Sequence, residues 1–229
     1  MKRSTLAGRL VMLAAGIAAT VGIALAADSG GMTPDQALQK LMDGNGRYVA
    51  SQMGACSASD ASARAKLATS QHPYAIILSC SDSRVPPELI FDQTLGEVFV
   101  VRVAGNVADP VVLGSIEYAA EHLGSPLIMV LGHERCGAVT ATVNAKGKPE
   151  GNLGSIVKEI QPSAKKAKKL CKGKPAEEIV ECAVDLNAKA VKAALTKRSK
   201  VLAHELKEGQ IKIVAAKYDL DDGKVTILE

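Results

Sequence analysis

Short apolar runs alternate with helix-like segments along most of the chain. Four runs of six or seven residues have the composition of buried strands: 74–79, 97–103, 126–132 and 211–216. The segment 109–124 predicts a helix, with Asp109 as its cap and Gly124 at its end. Strands that alternate with helices imply right-handed crossovers and a parallel sheet. The pattern therefore predicts an α/β fold with a central, mostly parallel β-sheet flanked by helices.

Three further segments extend this plan. Near the start, Thr33 and Pro34 open an amphipathic helix that we expect to end at Gly44. From about 152 to 206 the chain is almost wholly helix-like, which predicts a helical arm packed on the sheet before the last strands. In 218–229, an Asp-Gly pair precedes a short strand and predicts an antiparallel hairpin at the sheet edge.

Composition agrees with one domain behind an export signal. The 229 residues are 47% hydrophobic but only 3% aromatic, so Val, Ile, Leu and Ala must form the core. Residues 1–26 combine a basic start, an apolar run and a final Ala-Leu-Ala, which predicts a cleaved signal peptide, a mature domain over 27–229 and a periplasmic location. An uncleaved membrane anchor is the alternative.

Charge gives little support for a polyanionic partner. Residues 1–26 carry three of the 28 Lys and Arg and none of the 24 Asp and Glu, so the rest of the chain is nearly neutral. The cluster KKAKK at 165–169 fits a solvated helix face, and no aromatic residues interleave to stack bases. We therefore expect no nucleic-acid partner, and no membrane association once the signal is removed.

Chemically distinctive residues follow two of the predicted strands. Cys80, Asp82 and Arg84 follow the first run, and His133 and Cys136 follow the third. The carboxyl ends of parallel strands share one rim, where ligands bind in open α/β sheets. Two thiolates and an imidazole suit zinc, and three protein ligands leave a fourth position open. A buried thiol, a Cys80–Cys136 disulfide or a redox cysteine are the alternatives.

Three motifs together resemble the β-class carbonic anhydrases: CSDSRVPPELIF from 80, GEVFVVRVAGN from 96 and GHERCGAV from 132. The resemblance implies Zn²⁺ held by Cys80, His133 and Cys136, with an Asp82–Arg84 pair beside it. The implied reaction is the reversible hydration of carbon dioxide to bicarbonate and a proton by zinc-bound hydroxide. In a closed form of the site, Asp82 would itself be the fourth ligand.

The resemblance also assigns a substrate pocket and an assembly. Gln71, Phe99 and Tyr118 correspond to residues that line the carbon dioxide pocket, which in the family lies at a subunit boundary. A homodimer or homotetramer is therefore implied. Two alternatives stay open: a related zinc hydrolase of carbon disulfide or carbonyl sulfide, and a zinc-binding module without turnover.

Three cysteines lie outside this constellation. Cys171 and Cys182 flank a predicted turn between two helices, so a disulfide between them is reasonable in an exported protein. Free thiols are the main alternative, and Cys56 is a possible odd partner.

Overall fold

The computed structural model describes residues 31–55, 59–147 and 149–229. Its first helix, α1, begins at Pro34 behind a Thr33–Gln36 capping box, as the sequence predicts. The predicted end at Gly44 is wrong, because α1 continues to Val49. Gly44 has another role: a Cβ at this position would overlap the backbone carbonyl of Phe91, so the glycine allows the helix to approach that segment closely.

Five strands form one sheet in the order β2-β1-β3-β4-β5. Their bounds are β1 Ala75–Ser79, β2 Val98–Arg102, β3 Leu127–His133, β4 Lys212–Tyr218 and β5 Val225–Leu228. The first four strands are parallel to their neighbours, and β5 pairs antiparallel with β4 behind a turn at Gly223. The predicted parallel sheet and edge hairpin are confirmed.

The helices cover both faces of this sheet. Besides α1, they are α2 Ala61–Leu67, α3 Pro87–Ile90, α4 Pro110–Glu121, α5 Gly137–Asn144, α6 Leu153–Leu170, α7 Ala176–Arg198 and α8 Lys200–Lys207. The helical arm thus comprises α6 to α8. In the described ranges, no helix is both long and apolar enough to cross a membrane.

Two apolar clusters hold the layers together, one on each face of the sheet. Alternate residues of β1 enter different clusters: Ala75 and Ile77 pack with α1, α5 and α6, whereas Ile76 and Leu78 pack with α4 and α8. Helix α7 contributes to both clusters. All five residues of β1 are buried, which explains the uninterrupted apolar run in the sequence.

Candidate metal centre

Two neighbouring parallel strands bring three metal-binding side chains together. Cys80 directly follows β1, His133 is the last residue of β3, and Cys136 caps α5. One ligand atom from each residue lies within 4.8 Å of the other two. The exposed fractions are 4%, 1% and 1%, so water reaches these groups poorly. The predicted constellation therefore forms, at the carboxyl ends of the strands.

The donor atoms are suited to a metal ion. Nδ1 of His133 lies 2.8 Å from the Glu134 carbonyl oxygen, which fixes the proton on Nδ1 and leaves the Nε2 lone pair free. Nε2 is buried, and no group among the described residues hydrogen-bonds to it. A buried polar atom without a partner is costly, and a metal ion in this space would satisfy it. Two sulfurs and one imidazole nitrogen match the preferences of zinc.

The two neighbouring thiols shift each other's pKa in opposite directions. A hydrogen bond from Cys136, stronger in effect than burial, lowers the pKa of Cys80 to about 4. The same bond, together with burial, raises the pKa of Cys136. Cys80 also accepts a hydrogen bond from the backbone N–H of Gly105 at 3.3 Å. One sulfur is thus already a thiolate before metal arrives, which is the form that binds zinc.

Asp82 and Arg84 form a bidentate pair beside the cluster. Nε and Nη2 of Arg84 donate to the two oxygens of Asp82 at 2.9 and 2.8 Å, and the Arg84 backbone N–H donates to Oδ1 at 3.0 Å. These bonds, the guanidinium contact foremost, hold the pKa of Asp82 well below its usual range. Asp82 Oδ2 lies 3.9 Å from His133 Nε2, so an ionised carboxylate faces the place where a metal would be bound.

Backbone contacts that sequence reasoning missed hold the two halves of the site. Arg102, at the end of β2, donates to the carbonyl oxygens of Cys80 at 2.9 Å and Asp82 at 2.5 Å. On the other side, the Glu181 carboxylate accepts the Arg135 N–H at 2.8 Å, and Arg135 has a positive φ of 50°. The sequence did contain a signal for Arg102, because it is a charged residue at the end of the apolar strand β2. No sequence pattern marks Glu181.

The three residues assigned to the substrate pocket lie together, but away from the thiols of their own chain. The rings of Phe99 and Tyr118 are 6.3 Å apart, and Tyr118 and Gln71 line one surface groove of about 780 Å³. Phe99 pairs with Ile76, four residues before Cys80. Since a strand rises about 3.3 Å per residue, this is a separation of roughly 13 Å along the sheet. Gln71 precedes β1 altogether.

Cys171 and Cys182 also meet. Cys171 caps the end of α6, Cys182 lies in the second turn of α7, and their thiols are within hydrogen-bonding contact. Burial and this contact raise the pKa of Cys182 to about 11. Both are thiols in this structure, and Cys56 lies outside the described residues.

Comparisons with known sequences give a family match. Residues 75–225 match the sequence model of the family described as "Carbonic anhydrase". A carbonic anhydrase of Mycolicibacterium smegmatis is 41% identical over 197 residues, which are 85% of this chain and 93% of that protein.

Solved structures extend the similarity to three dimensions. A Coccomyxa β-carbonic anhydrase in complex with acetazolamide superposes with a TM-score of 0.70 at 28% identity, over 83% of this chain and 86% of that one. One of two tetrameric β-carbonic anhydrases of Sordaria macrospora superposes with a TM-score of 0.65 at 25% identity, over 72% and 84% of the chains. With its buried Cys-His-Cys cluster, this chain belongs to the β-carbonic anhydrase family, the zinc enzymes that interconvert carbon dioxide and bicarbonate.

Proposed function

We propose that this carbonic anhydrase binds its zinc ion through Cys80, His133 and Cys136, and that Asp82 and Arg84 control the open coordination position. The observation that carries the proposal is the buried triangle of two sulfurs and the unpartnered His133 Nε2 among the described residues. A zinc ion with an open position supplies a Lewis acid that acidifies a bound water, which is the chemistry that hydration of carbon dioxide requires.

Asp82 orients the attacking oxygen. As an ionised carboxylate it can only accept hydrogen bonds, so it accepts a hydrogen bond from that oxygen and directs one of the oxygen's lone pairs toward carbon dioxide. Arg84 keeps Asp82 ionised and fixes its direction through two parallel bonds. Arg102 donates to the backbone carbonyl oxygens of Cys80 and Asp82, so these two residues keep their spacing.

The same carboxylate is close enough to close the site. A small rotation of Asp82 would bring Oδ2 into the open position, given its 3.9 Å distance from His133 Nε2. Such a closed form would dominate at low pH and be inactive. X-ray absorption at the zinc edge tests this: a carboxylate oxygen among the ligands at acid pH supports the closed form, and unchanged coordination from acid to alkaline pH contradicts it.

The location of the pocket residues favours assembly. Gln71, Phe99 and Tyr118 cannot surround a substrate at Cys80 of their own chain, so we propose that they serve the metal centre of a second copy. Within the described residues, β2 is an edge strand of the sheet beside them. Three large apolar side chains in this part of the chain are exposed: Leu95 46%, Val111 78% and Tyr118 48%. The Sordaria relatives, which are described as tetrameric, support a homo-oligomer.

Export and a disulfide complete the proposal. Residues 1–26, which lie outside the described residues, would direct the chain to the periplasm and be removed after Ala26. N-terminal sequencing of the periplasmic protein tests this, and a retained Met1 contradicts it.

In the oxidising periplasm, Cys171 and Cys182 would be joined by thiol exchange with the disulfide of an oxidoreductase. Intact masses that differ by two hydrogens with and without reductant are the expected result.

Metal analysis tests the site directly. The purified protein should contain one zinc per chain and hydrate carbon dioxide, and Cys80→Ser should lose both properties. The matched variant Cys171→Ser, which alters a thiol outside the cluster, should keep both. Full zinc content in Cys80→Ser would overturn the ligand assignment.

A further inference from the structure

The turn beside Cys80 has an unusual backbone. Residues Ala104–Asn106 form a single 3-10 turn after β2, in which Gly105 has a φ of 71° and Asn106 a φ of 44°. Two consecutive left-handed residues are uncommon, and the second is not glycine. This conformation points the Gly105 N–H at Cys80 Sγ, 3.3 Å away. The turn therefore needs other contacts that hold it in place.

One such contact comes from the helical arm. Asn187, in the middle of α7, is only 2% exposed, and its Nδ2 donates to the Gly105 carbonyl oxygen at 2.9 Å. The bond joins segments 82 residues apart. A buried amide without a hydrogen-bond partner is costly, so the bond favours the orientation of the turn that keeps it. Because the anchored carbonyl and the donating N–H belong to the same residue, fixing one constrains the direction of the other.

Packing closes the remaining side of Gly105. A Cβ on this residue would lie 2.5 Å from Ile160 Cδ1 and 3.2 Å from the Ala138 Cβ. Ile160 belongs to α6 and Ala138 to α5, so two helices and the Asn187 amide surround the turn. The geometry leaves Gly105 little freedom other than the conformation that donates to Cys80.

We propose that Asn187 is a positioning residue for the metal centre: it holds the Gly105 N–H on the Cys80 thiolate and so withdraws negative charge from that sulfur. The inference rests on the proposed function in taking Cys80 as a metal ligand. A hydrogen bond to a ligating sulfur weakens its electron donation, so the metal remains a stronger Lewis acid. Without this hydrogen bond, the two thiolates would offset more of the positive charge of the ion.

Cobalt substitution reads this effect without using activity. In Asn187→Leu, which has a similar volume and no donor, the sulfur-to-cobalt charge-transfer band should move to lower energy, because the sulfur becomes richer in electrons.

A control on the same helix separates positioning from loss of packing. Val191 is buried one turn further along α7, in the apolar cluster that packs with α4 and α8. Val191→Ala therefore weakens the packing of α7 without touching the turn at Gly105. Its cobalt band should match that of the parent. An unshifted band in folded Asn187→Leu, or an equal shift in Val191→Ala, overturns the proposal.

The parent protein gives a test that needs no variant to fold. In cadmium-113-substituted, isotope-labelled protein, we expect scalar coupling from the Gly105 amide proton to the metal, and from the Asn187 side-chain nitrogen to the Gly105 carbonyl carbon. Absence of either coupling in the well-resolved parent overturns the proposal. A parent that binds cobalt without any thiolate band would instead contradict Cys80 as a ligand, and hence the proposed function.

Discussion

The Asp82 carboxylate lies 3.9 Å from Nε2 of His133 while Arg84 binds both of its oxygens. An ionised acceptor thus lies beside the buried donor triangle, where it can orient an attacking oxygen as long as Arg84 holds it.

Replacing this acceptor should separate catalysis from metal binding. Asp82→Asn keeps the size of the side chain but removes its charge and half of its acceptor capacity, so kcat/KM for hydration should fall about 10²- to 10³-fold. Zinc content should stay at one per chain, because the three ligands are unchanged. Stopped-flow hydration and metal analysis on the same sample check both parts. A variant with parental kcat/KM would show that Asp82 has no part in the reaction.

The opposite pKa shifts of Cys80 and Cys136 determine how zinc binding depends on pH. The lowered pKa of Cys80, about 4, means that this thiolate is already present at neutral pH, whereas the raised pKa of Cys136 means that it still carries its proton. Zinc binding near pH 7 should therefore release about one proton per chain, and affinity should rise about tenfold per pH unit. Two independent thiols with ordinary pKa values would release about two.

Calorimetry in buffers with different ionisation enthalpies measures this proton count on the metal-free protein. In Cys136→Ala, the remaining thiol loses its hydrogen-bond donor, so its pKa should rise toward the usual range. A release of two protons by the parent protein would contradict the opposite pKa shifts.

Subunit mixing tests whether the pocket is shared between chains. A chain with Cys80→Ser lacks its own metal but still offers Gln71 to its neighbour. A chain with Gln71→Ala keeps its own metal but offers no Gln71. If sites are shared, mixed dimers of these two inactive chains contain one intact site, and random reassembly should restore about a quarter of the parental activity. Cys80→Ser mixed with Asp82→Asn is the matched control, because both changes affect the same side of the site and one intact site cannot form. Equal activity in the two mixtures would contradict a shared pocket.

Two glycines in α1 should respond oppositely to alanine. A Cβ at Gly44 would overlap the Phe91 carbonyl, so Gly44→Ala should destabilise the protein by about 1–3 kcal/mol or more. At Gly46, no described atom outside the residue's own surroundings lies within 4 Å of such a Cβ, so Gly46→Ala should stabilise by about 0.5–1 kcal/mol through helix propensity. Urea unfolding of both variants provides the comparison, and equal effects of the two changes would contradict the packing described for Gly44.

The pair of glycines also shows where sequence reasoning succeeds and fails. Strand positions and the Cys80, His133 and Cys136 cluster were predictable, because apolar runs mark buried strands and the ends of parallel strands share one rim. The end of α1 was not predictable, because the sequence does not distinguish a glycine that ends a helix from a glycine that lets a neighbouring backbone approach. What distinguishes them is a contact with Phe91, which no local pattern contains.

The supporting contacts were hidden for a related reason. The Gly105 N–H is a backbone donor and has no side-chain signature, and Asn187 is one polar residue within a long helical segment. Their function depends on a fold that joins segments 82 residues apart. Likewise, the residue types of the pocket followed from resemblance, but their separation from Cys80 along the sheet required the strand register.

Zinc titration of the metal-free protein, followed by stopped-flow hydration of carbon dioxide at pH 8.5, tests whether zinc held by Cys80, His133 and Cys136 hydrates carbon dioxide. Activity should rise in proportion to added zinc and stop rising at one zinc per chain, while Cys80→Ser stays inactive throughout. One tightly bound zinc per chain with no hydration above the buffer rate would contradict this expectation.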